Sequence, residues 1–144
     1  MGGARRIAGH RTVPHTADLR IEAWAATREE CLAEAVRGLV GSFAAVPRGQ
    51  PCRRDSCAMT ARSDEDLLVA ILDVVIYRLD TDGQIPVSVA VRRAPVGGVV
   101  VFFALVPVAE AEITGAVPKA ASLHDLRFAP DAAGRWSCAV TVDV

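Results

Sequence analysis

The sequence has few aromatic residues and no long apolar run. Aromatic side chains make up 5% of the 144 residues against 51% hydrophobic residues in total, so we expect an aliphatic core. The apolar stretches at residues 67–76 and 96–108 are too short or too interrupted by glycine and proline to span a bilayer. No apolar run of signal-peptide length follows Arg5 and Arg6. These absences predict a cytoplasmic protein that does not act at a membrane.

The sequence also lacks a surplus of charge of one sign. It has 16 basic and 17 acidic residues, a formal net charge of −1, and no basic stripe along the chain. Proteins that neutralise nucleic-acid phosphates usually show such a stripe, so direct nucleic-acid binding is not predicted. A glycine-rich phosphate loop and a nucleophile elbow are absent as well, which removes the enzyme classes that these motifs define.

Cysteines are few and lack the spacing of a structural zinc site. Without an export signal, reduced thiols are expected at all four cysteines, which are Cys31, Cys52, Cys57 and Cys138. Cys52 and Cys57 are loosely compatible with a zinc pair. No second pair of cysteine or histidine has a matching spacing, so zinc is not predicted.

Periodicity in the first half of the chain predicts strand, helix, strand, helix. After Pro14, which fixes a backbone angle, Leu19, Ile21 and Ala23 alternate with polar residues and indicate a strand. Thr27 begins a capping-box pattern, and the apolar stripe behind it predicts a helix that ends near residues 44–47. A polar loop at residues 48–55, a short strand at 56–62 and a second helix that starts at Ser63 follow. Asp80–Gly83 should close that helix, with Gly83 as its C-terminal cap.

From residue 85 onward the pattern changes to period two. It predicts strands near residues 85–91, 99–106, 109–114, 119–128 and 135–144, with glycine-containing turns at 95–98 and 130–134. The predicted fold class is therefore α+β, with two helices packed against an antiparallel-rich β-sheet. Residues 1–12 are predicted to be a flexible N-terminal tail and residues 13–144 a single domain.

Two aspartates flank the predicted core strands at their ends. Asp18 opens the first strand, and Asp143 is the penultimate residue of the last strand, beside the carboxylate of Val144. If these groups meet, they form an all-oxygen site that suits a hard cation such as Ca²⁺ or Mg²⁺ better than zinc. The alternative is a frayed C-terminus with a solvated Asp143.

Four blocks of the sequence, in this order and over nearly the whole chain from residue 13, resemble the archease family. The blocks are His15-Thr16-Ala17-Asp18, the helical segment from Leu67 to Asp73 that continues to Tyr77, the segment from Lys119-Ala120 to His124-Asp125, and the terminal Val142-Asp143-Val144. The resemblance implies a small domain that does not join RNA itself. It would promote guanylylation of the active-site histidine of an RtcB-type RNA ligase, in tRNA splicing and RNA repair, and allow that ligase many turnovers.

The same resemblance assigns roles to individual residues. Asp18 and Asp143, with the backbone of Val144, match the metal-binding positions of the family, and calcium is the expected ion, with magnesium or manganese as alternatives. Further functional positions are expected at His15, Asp64, Lys119 and His124. The family's acidic residue at the start of the second helix falls on Asp64, or on the position held here by Ser63.

Two other functions remain open from the residues. One is a metal-dependent hydrolase or phosphotransferase in which His15 or His124 serves as acid or base. The other is a chaperone-like modulator of a different enzyme, such as a methyltransferase. The absence of a nucleophile elbow, of a glycine-rich phosphate loop and of a cysteine placed near a histidine counts against the hydrolase or phosphotransferase.

Overall fold

Two α-helices and nine strands make up the fold in a computed structural model, which describes residues 7–14 and 18–144. In chain order the elements are β1 (Gly9–Pro14), β2 (Asp18–Ala25), α1 (Arg28–Gly41), β3 (Ala44–Ala45), β4 (Arg53–Met59), α2 (Asp64–Tyr77), a π-helical turn (Arg78–Asp82), β5 (Gln84–Arg93), β6 (Val99–Pro107), a 3₁₀ turn (Val108–Glu110), β7 (Glu112–Ile113), β8 (Ala120–Pro130) and β9 (Trp136–Asp143). The α+β class predicted from the sequence is confirmed.

Both helices begin where their capping residues predict. The Thr27 hydroxyl accepts the Glu30 amide at 3.1 Å, and the Ser63 hydroxyl accepts the Asp66 amide, also at 3.1 Å. These bonds satisfy backbone donors that have no partner inside the helix. Within the described residues, no helix is long and apolar enough to cross a membrane.

Helix α1 ends earlier than the predicted residues 44–47. The Ser42 amide donates to the carbonyls of Gly38 and Leu39, and its hydroxyl donates to the Leu39 carbonyl at 2.6 Å. Ala44 and Ala45 then pair with β7 as a short strand. The apolar stripe thus continues past the helix because its last members belong to a strand.

Several other predicted boundaries are also wrong. Residues 9–12, expected in the flexible tail, form most of β1, because they pair with β2 from Trp24 to Ile21. Strand β4 begins at Arg53, inside the predicted loop, where Arg53 pairs with Leu105. Of the strand predicted at residues 109–114, only Glu112–Ile113 pairs as a strand, while Ala109 and Glu110 lie in the 3₁₀ turn.

The strands form antiparallel sheets that enclose the helices. A four-stranded sheet has the order β1-β2-β9-β8, a three-stranded sheet has the order β4-β6-β5, and β3 pairs with β7. Helix α1 contacts β2 of the first sheet and β5 of the second, and α2 contacts β8 and β4. The helices therefore lie between the two larger sheets, and each sheet keeps one face turned away from them.

The core is built from alternate residues of the strands and the apolar sides of the helices. Ile21 and Ala23 of β2 and Val140 and Val142 of β9 are fully buried, as the period-two pattern predicts. Leu68 and its neighbours on α2 fill the space between the sheets. Two of the cysteines, which are all free, belong to this core, since Cys31 and Cys138 are buried while Cys52 is exposed and Cys57 is half-buried.

Candidate functional site

Strand pairing places Asp18 directly opposite Asp143. Strands β2 and β9 are antiparallel neighbours, and their register pairs Asp18 with Asp143 and Leu19 with Val142. Because Val142 points into the core, the two aspartates project from the opposite, outer face of the four-stranded sheet. Directly opposed residues hold their Cβ atoms about 5 Å apart. Two positions that are 125 residues apart in the sequence (143 − 18) therefore share one sheet end.

The chain around Asp143 is fixed by its neighbour β8. The Lys119 amide donates to the Asp143 carbonyl at 2.8 Å, and Ala120 pairs with Asp143 in the β8–β9 register. Lys119 thus holds the end of β9 through its backbone, while its side chain is exposed. Asp143 is exposed and Asp18 is half-buried.

The two carboxylates lack a cationic partner among the residues that the structure describes. Neither Asp18 nor Asp143 forms an ion pair with a lysine, arginine or histidine there. Like charges placed directly opposite each other on neighbouring strands destabilise the pair. A divalent cation removes that repulsion, and carboxylate and backbone oxygens are the ligands that calcium and magnesium prefer.

The number of side chains that could bind a metal ion here is nevertheless small. Residues 7–14 and 18–144 contain no group of three or more His, Cys, Asp or Glu residues arranged to hold a metal ion. The carboxylates that could hold a hard cation at this end of the sheet are Asp18 and Asp143, to which Val144 could add backbone oxygen. His15 lies outside the described residues. The donors fit a hard cation in chemical type, and the remaining coordination positions are left for water or for groups of a partner.

Asp64, the expected acidic residue at the helix start, lies away from this pair. It is the first residue of α2, directly after the capping Ser63, and its carboxylate accepts a hydrogen bond from the Arg28 guanidinium at 2.8 Å. Arg28 follows the far end of β2, whose eight residues separate it from Asp18 by roughly 25 Å. Asp64 therefore joins the starts of the two helices and does not approach the carboxylate pair.

His124 lies on an irregular part of β8. Register is lost between Ser122 and Arg127, so that residues 123–126 bulge out of the sheet. Asp125 adopts a positive φ of 55°, and its carbonyl accepts a hydrogen bond from Arg20 at 3.2 Å. The exposed His124 ring lies 3.1 Å from the Asp125 carboxylate. His124 is thus paired with its neighbour in the bulge, not with Asp18 or Asp143.

Asp73 was predicted only as part of a helical motif. Its carboxylate accepts the Ala121 amide at 3.3 Å, which ties α2 to the beginning of β8 beside Asp143. The available signal was a charged residue between Leu72 and Val74 in an otherwise apolar helix. Its position on an exposed helix edge and its bond to β8 indicate a role in positioning the strand that supports Asp143.

The fold and the site together define a class of protein. It is an antiparallel α+β domain with an opposed carboxylate pair at one end of its central strands. The chain belongs to the archease family: residues 10–144 match the model described as the Archease protein family (MTH1598/TM1083). The "Probable protein archease" of two Mycobacterium tuberculosis strains, CDC 1551 / Oshkosh and ATCC 25618 / H37Rv, is similar to it. Each is 51% identical over 136 residues, which cover 94% of this chain and 75% of the relative.

A solved structure shows the same fold at low sequence identity. The solution structure of Methanobacterium thermoautotrophicum protein 1598 aligns with a TM-score of 0.70 over 94% of this chain and 99% of the other. The two sequences are only 17% identical, so this likeness concerns the fold alone. The resemblance drawn from the four sequence blocks is confirmed by these comparisons.

Proposed function

We propose that this protein is an activator, not a catalyst, that promotes guanylylation and repeated turnover of an RtcB-type RNA ligase in the cytoplasm. Membership of the archease family supports the proposal. The observation that connects the proposal with particular residues is the pairing of Asp18 with Asp143 at the end of β2 and β9. These are the residues to which the resemblance assigns metal binding.

The chemistry of the pair suits contact with another molecule. In this proposal Asp18, Asp143 and the backbone of Val144 hold a divalent cation, with calcium preferred over magnesium and manganese. Bound there, the cation supplies a Lewis-acidic positive charge at the surface. The half-buried Asp18 orients one side of this site from within the sheet, and the exposed Asp143 presents the other side to solvent or to the ligase.

An activator of this kind works through differential affinity. It must bind more tightly to the ligase state that leads to guanylylation than to the state that precedes it. Backbone pairing restrains both strands at this end of the sheet, because Lys119 and Ala120 bond to β9 on one side and β1 pairs with β2 on the other. Strands that are restrained before binding lose less conformational entropy when a partner binds, which favours affinity for the ligase state that fits them.

The test is RNA ligation by the cognate RtcB-type ligase with GTP and a divalent metal, under conditions in which substrate exceeds ligase. We expect the ligase alone to stop near one equivalent of product and the wild-type protein to raise the yield well beyond it. Asp18→Ala and Asp143→Ala should remove most of this stimulation, since each leaves a single aspartate at the site. Glu112→Ala, a charge change on the exposed strand β7, is the matched control.

Two results would contradict the proposal. Full stimulation by folded Asp18→Ala and Asp143→Ala proteins would separate activation from the carboxylate pair. An active ligase that does not respond to the wild-type protein would remove the ligase from the proposal altogether. Circular dichroism and thermal unfolding of each variant distinguish loss of the site from loss of the fold.

A further inference from the structure

The outer face of the four-stranded sheet gathers arginines that are scattered in the sequence. Arg11 lies on β1, Arg127 on β8, and Arg135 immediately before β9. Together they line an open cleft of about 570 Å³, into which Trp24 and Ser137 also project. Helices α1 and α2 pack on the other face of this sheet, so the described chain places neither helix over the cleft. The sequence did not predict a basic surface because Arg11 lies far in the chain from Arg127 and Arg135, and the order of the strands is needed to bring it onto the same face.

Trp24 forms an aromatic wall of this cleft. It is half-buried and lies opposite Gly9 in the β1–β2 register. A Cβ atom placed on Gly9 would lie 2.7 Å from Cζ2 of the indole, so the ring occupies the space that a side chain at Gly9 would take. Glycine at this position therefore lets the ring lie along β1 at the side of the cleft.

The charges in the cleft do not cancel. The guanidinium of Arg11 pairs with Glu22, and that of Arg135 lies 3.8 Å from the Asp131 carboxylate. Arg127 donates to the neutral Ser137 hydroxyl at 2.9 Å and forms no ion pair within the described residues. Three guanidinium groups thus face two carboxylates, which leaves a positive surplus at Arg127 on a chain whose net charge is −1.

We propose that this cleft binds a nucleotide unit of a single-stranded nucleic acid, with a base against Trp24 and phosphate groups at Arg127 and Arg135. Tryptophan stacks on any base, and arginine binds phosphate through two parallel hydrogen bonds. A peptide run of aspartates and glutamates would use the arginines but would offer no ring for Trp24, whereas every nucleotide carries both groups. The proposal does not depend on activation of a ligase, because it concerns binding by the isolated protein.

The dimensions of the sheet allow more than one nucleotide to bind. Neighbouring strands lie about 4.8 Å apart, so Arg11 on β1 and Arg127 on β8 are separated by three spacings, or roughly 14 Å. The carboxylate pair occupies the other end of the same face, since Trp24 follows Asp18 by six positions of β2, which span roughly 20 Å. The face is therefore acidic at one end and basic with an aromatic group at the other.

The experiment is fluorescence anisotropy of a 5′-fluorescein-labelled 12-nucleotide single-stranded RNA titrated with the isolated protein at low salt. We expect saturable binding that weakens as salt increases, because bound phosphates release counterions. Arg127→Glu and Arg135→Glu should each weaken binding by about tenfold or more, as a phosphate contact is replaced by repulsion. Trp24→Leu should weaken it by at least about fivefold, whereas Trp24→Phe, which keeps a ring, should retain most of the affinity.

A matched control separates the cleft from overall charge. Arg54→Glu changes the net charge by the same amount on the exposed strand β4 and should leave binding nearly unchanged. Unlabelled nucleoside monophosphate, single strand and duplex are then used as competitors. Competition by the single strand far below the concentration of monophosphate identifies a strand as the ligand, and equal potency identifies a free nucleotide. Absence of binding by the wild type, or equal losses in the Arg54→Glu and Arg127→Glu proteins, would overturn the proposal.

Discussion

The Glu34 carboxylate links the edge strand β1 to helix α1. One oxygen lies 2.9 Å from the His10 ring nitrogen Nδ1, and the other accepts a hydrogen bond from Arg37 at 2.5 Å. Burial favours the neutral form of this carboxyl, but the hydrogen bonds from His10 and Arg37 outweigh it and lower the pKa of Glu34 below its ordinary value. The charged form is therefore stabilised by folding.

From the lowered pKa of Glu34 we predict how the free energy of unfolding changes in acid. A carboxyl whose pKa is lower in the folded state stabilises the protein above its unfolded pKa, about 4.3 for glutamate, and loses that contribution as the pH falls through the folded value. Glu34→Gln should therefore reduce the free energy of unfolding near neutral pH and flatten its decline below about pH 4.3. Urea unfolding of both proteins between neutral and acidic pH measures the effect.

The control for this measurement is Glu112→Gln, which removes a carboxylate from the exposed strand β7. The free energy of unfolding of wild type and of Glu34→Gln could differ by a constant amount across the acid range. That result would show that the contacts of Glu34 stabilise the fold whether or not its carboxyl is charged.

At the scale of the element, the turn between β5 and β6 depends on two glycines with different surroundings. Gly97 and Gly98 have φ values of 101° and 73°, which L-residues rarely adopt. A Cβ on Gly98 would lie 2.2 Å from the Met59 carbonyl oxygen, whereas a Cβ on Gly97 would meet nothing within 4 Å. Both positions thus require a positive φ, and a steric clash is added at Gly98 only.

These two positions form a matched pair for mutation. Gly97→Ala should lower the free energy of unfolding by about 1–2 kcal/mol through backbone strain alone. Gly98→Ala should cost about 1–3 kcal/mol more, because β4 must move to relieve the clash with Met59. Thermal or urea unfolding of the two variants measures the difference, and equal losses in stability would show that β4 yields without cost.

Local signals explain which elements could be predicted from the sequence. The hydroxyls of Thr27 and Ser63 mark the helix starts, and the alternation from Leu19 to Ala23 marks β2, because these patterns depend on neighbouring residues alone. Strand β1 was missed because it offers no apolar alternation, and it becomes a strand through pairing with β2. The end of α1 was misplaced because the apolar pattern cannot distinguish a helix from the short strand that follows.

The arrangement of the whole molecule decides how much of the site was predictable. Asp18 and Asp143 could be named from their positions at strand ends, but their contact requires that β2 and β9 be neighbours, which the sequence does not specify. Asp64 was expected as a further functional position, and the fold places it with Arg28 at the other end of β2. The arginine cleft was missed altogether, because the order β1-β2-β9-β8 is needed to bring Arg11 and Trp24 beside Arg127 and Arg135.

From the opposed carboxylates we predict that calcium stabilises the molecule as a whole. A ligand that binds only the folded state stabilises it in proportion to the logarithm of its concentration, by about 2.7 kcal/mol at a hundred times its dissociation constant. Calcium should therefore raise the Tm of the wild-type protein by several degrees. Asp143→Asn should raise the Tm in the presence of a chelator, because it removes repulsion from Asp18, and should abolish most of the calcium response.

Calorimetry with chelator, calcium or magnesium, at constant ionic strength, distinguishes a site from general screening. Screening acts on all exposed charges alike, so it would stabilise the wild type and the Asp143→Asn protein equally. A bound ion depends on both carboxylates, and its effect should disappear with either of them while persisting in the Glu112→Gln control. An equal response to calcium in wild type and Asp143→Asn would therefore remove the metal from this pair, even if the pair still contacts a partner.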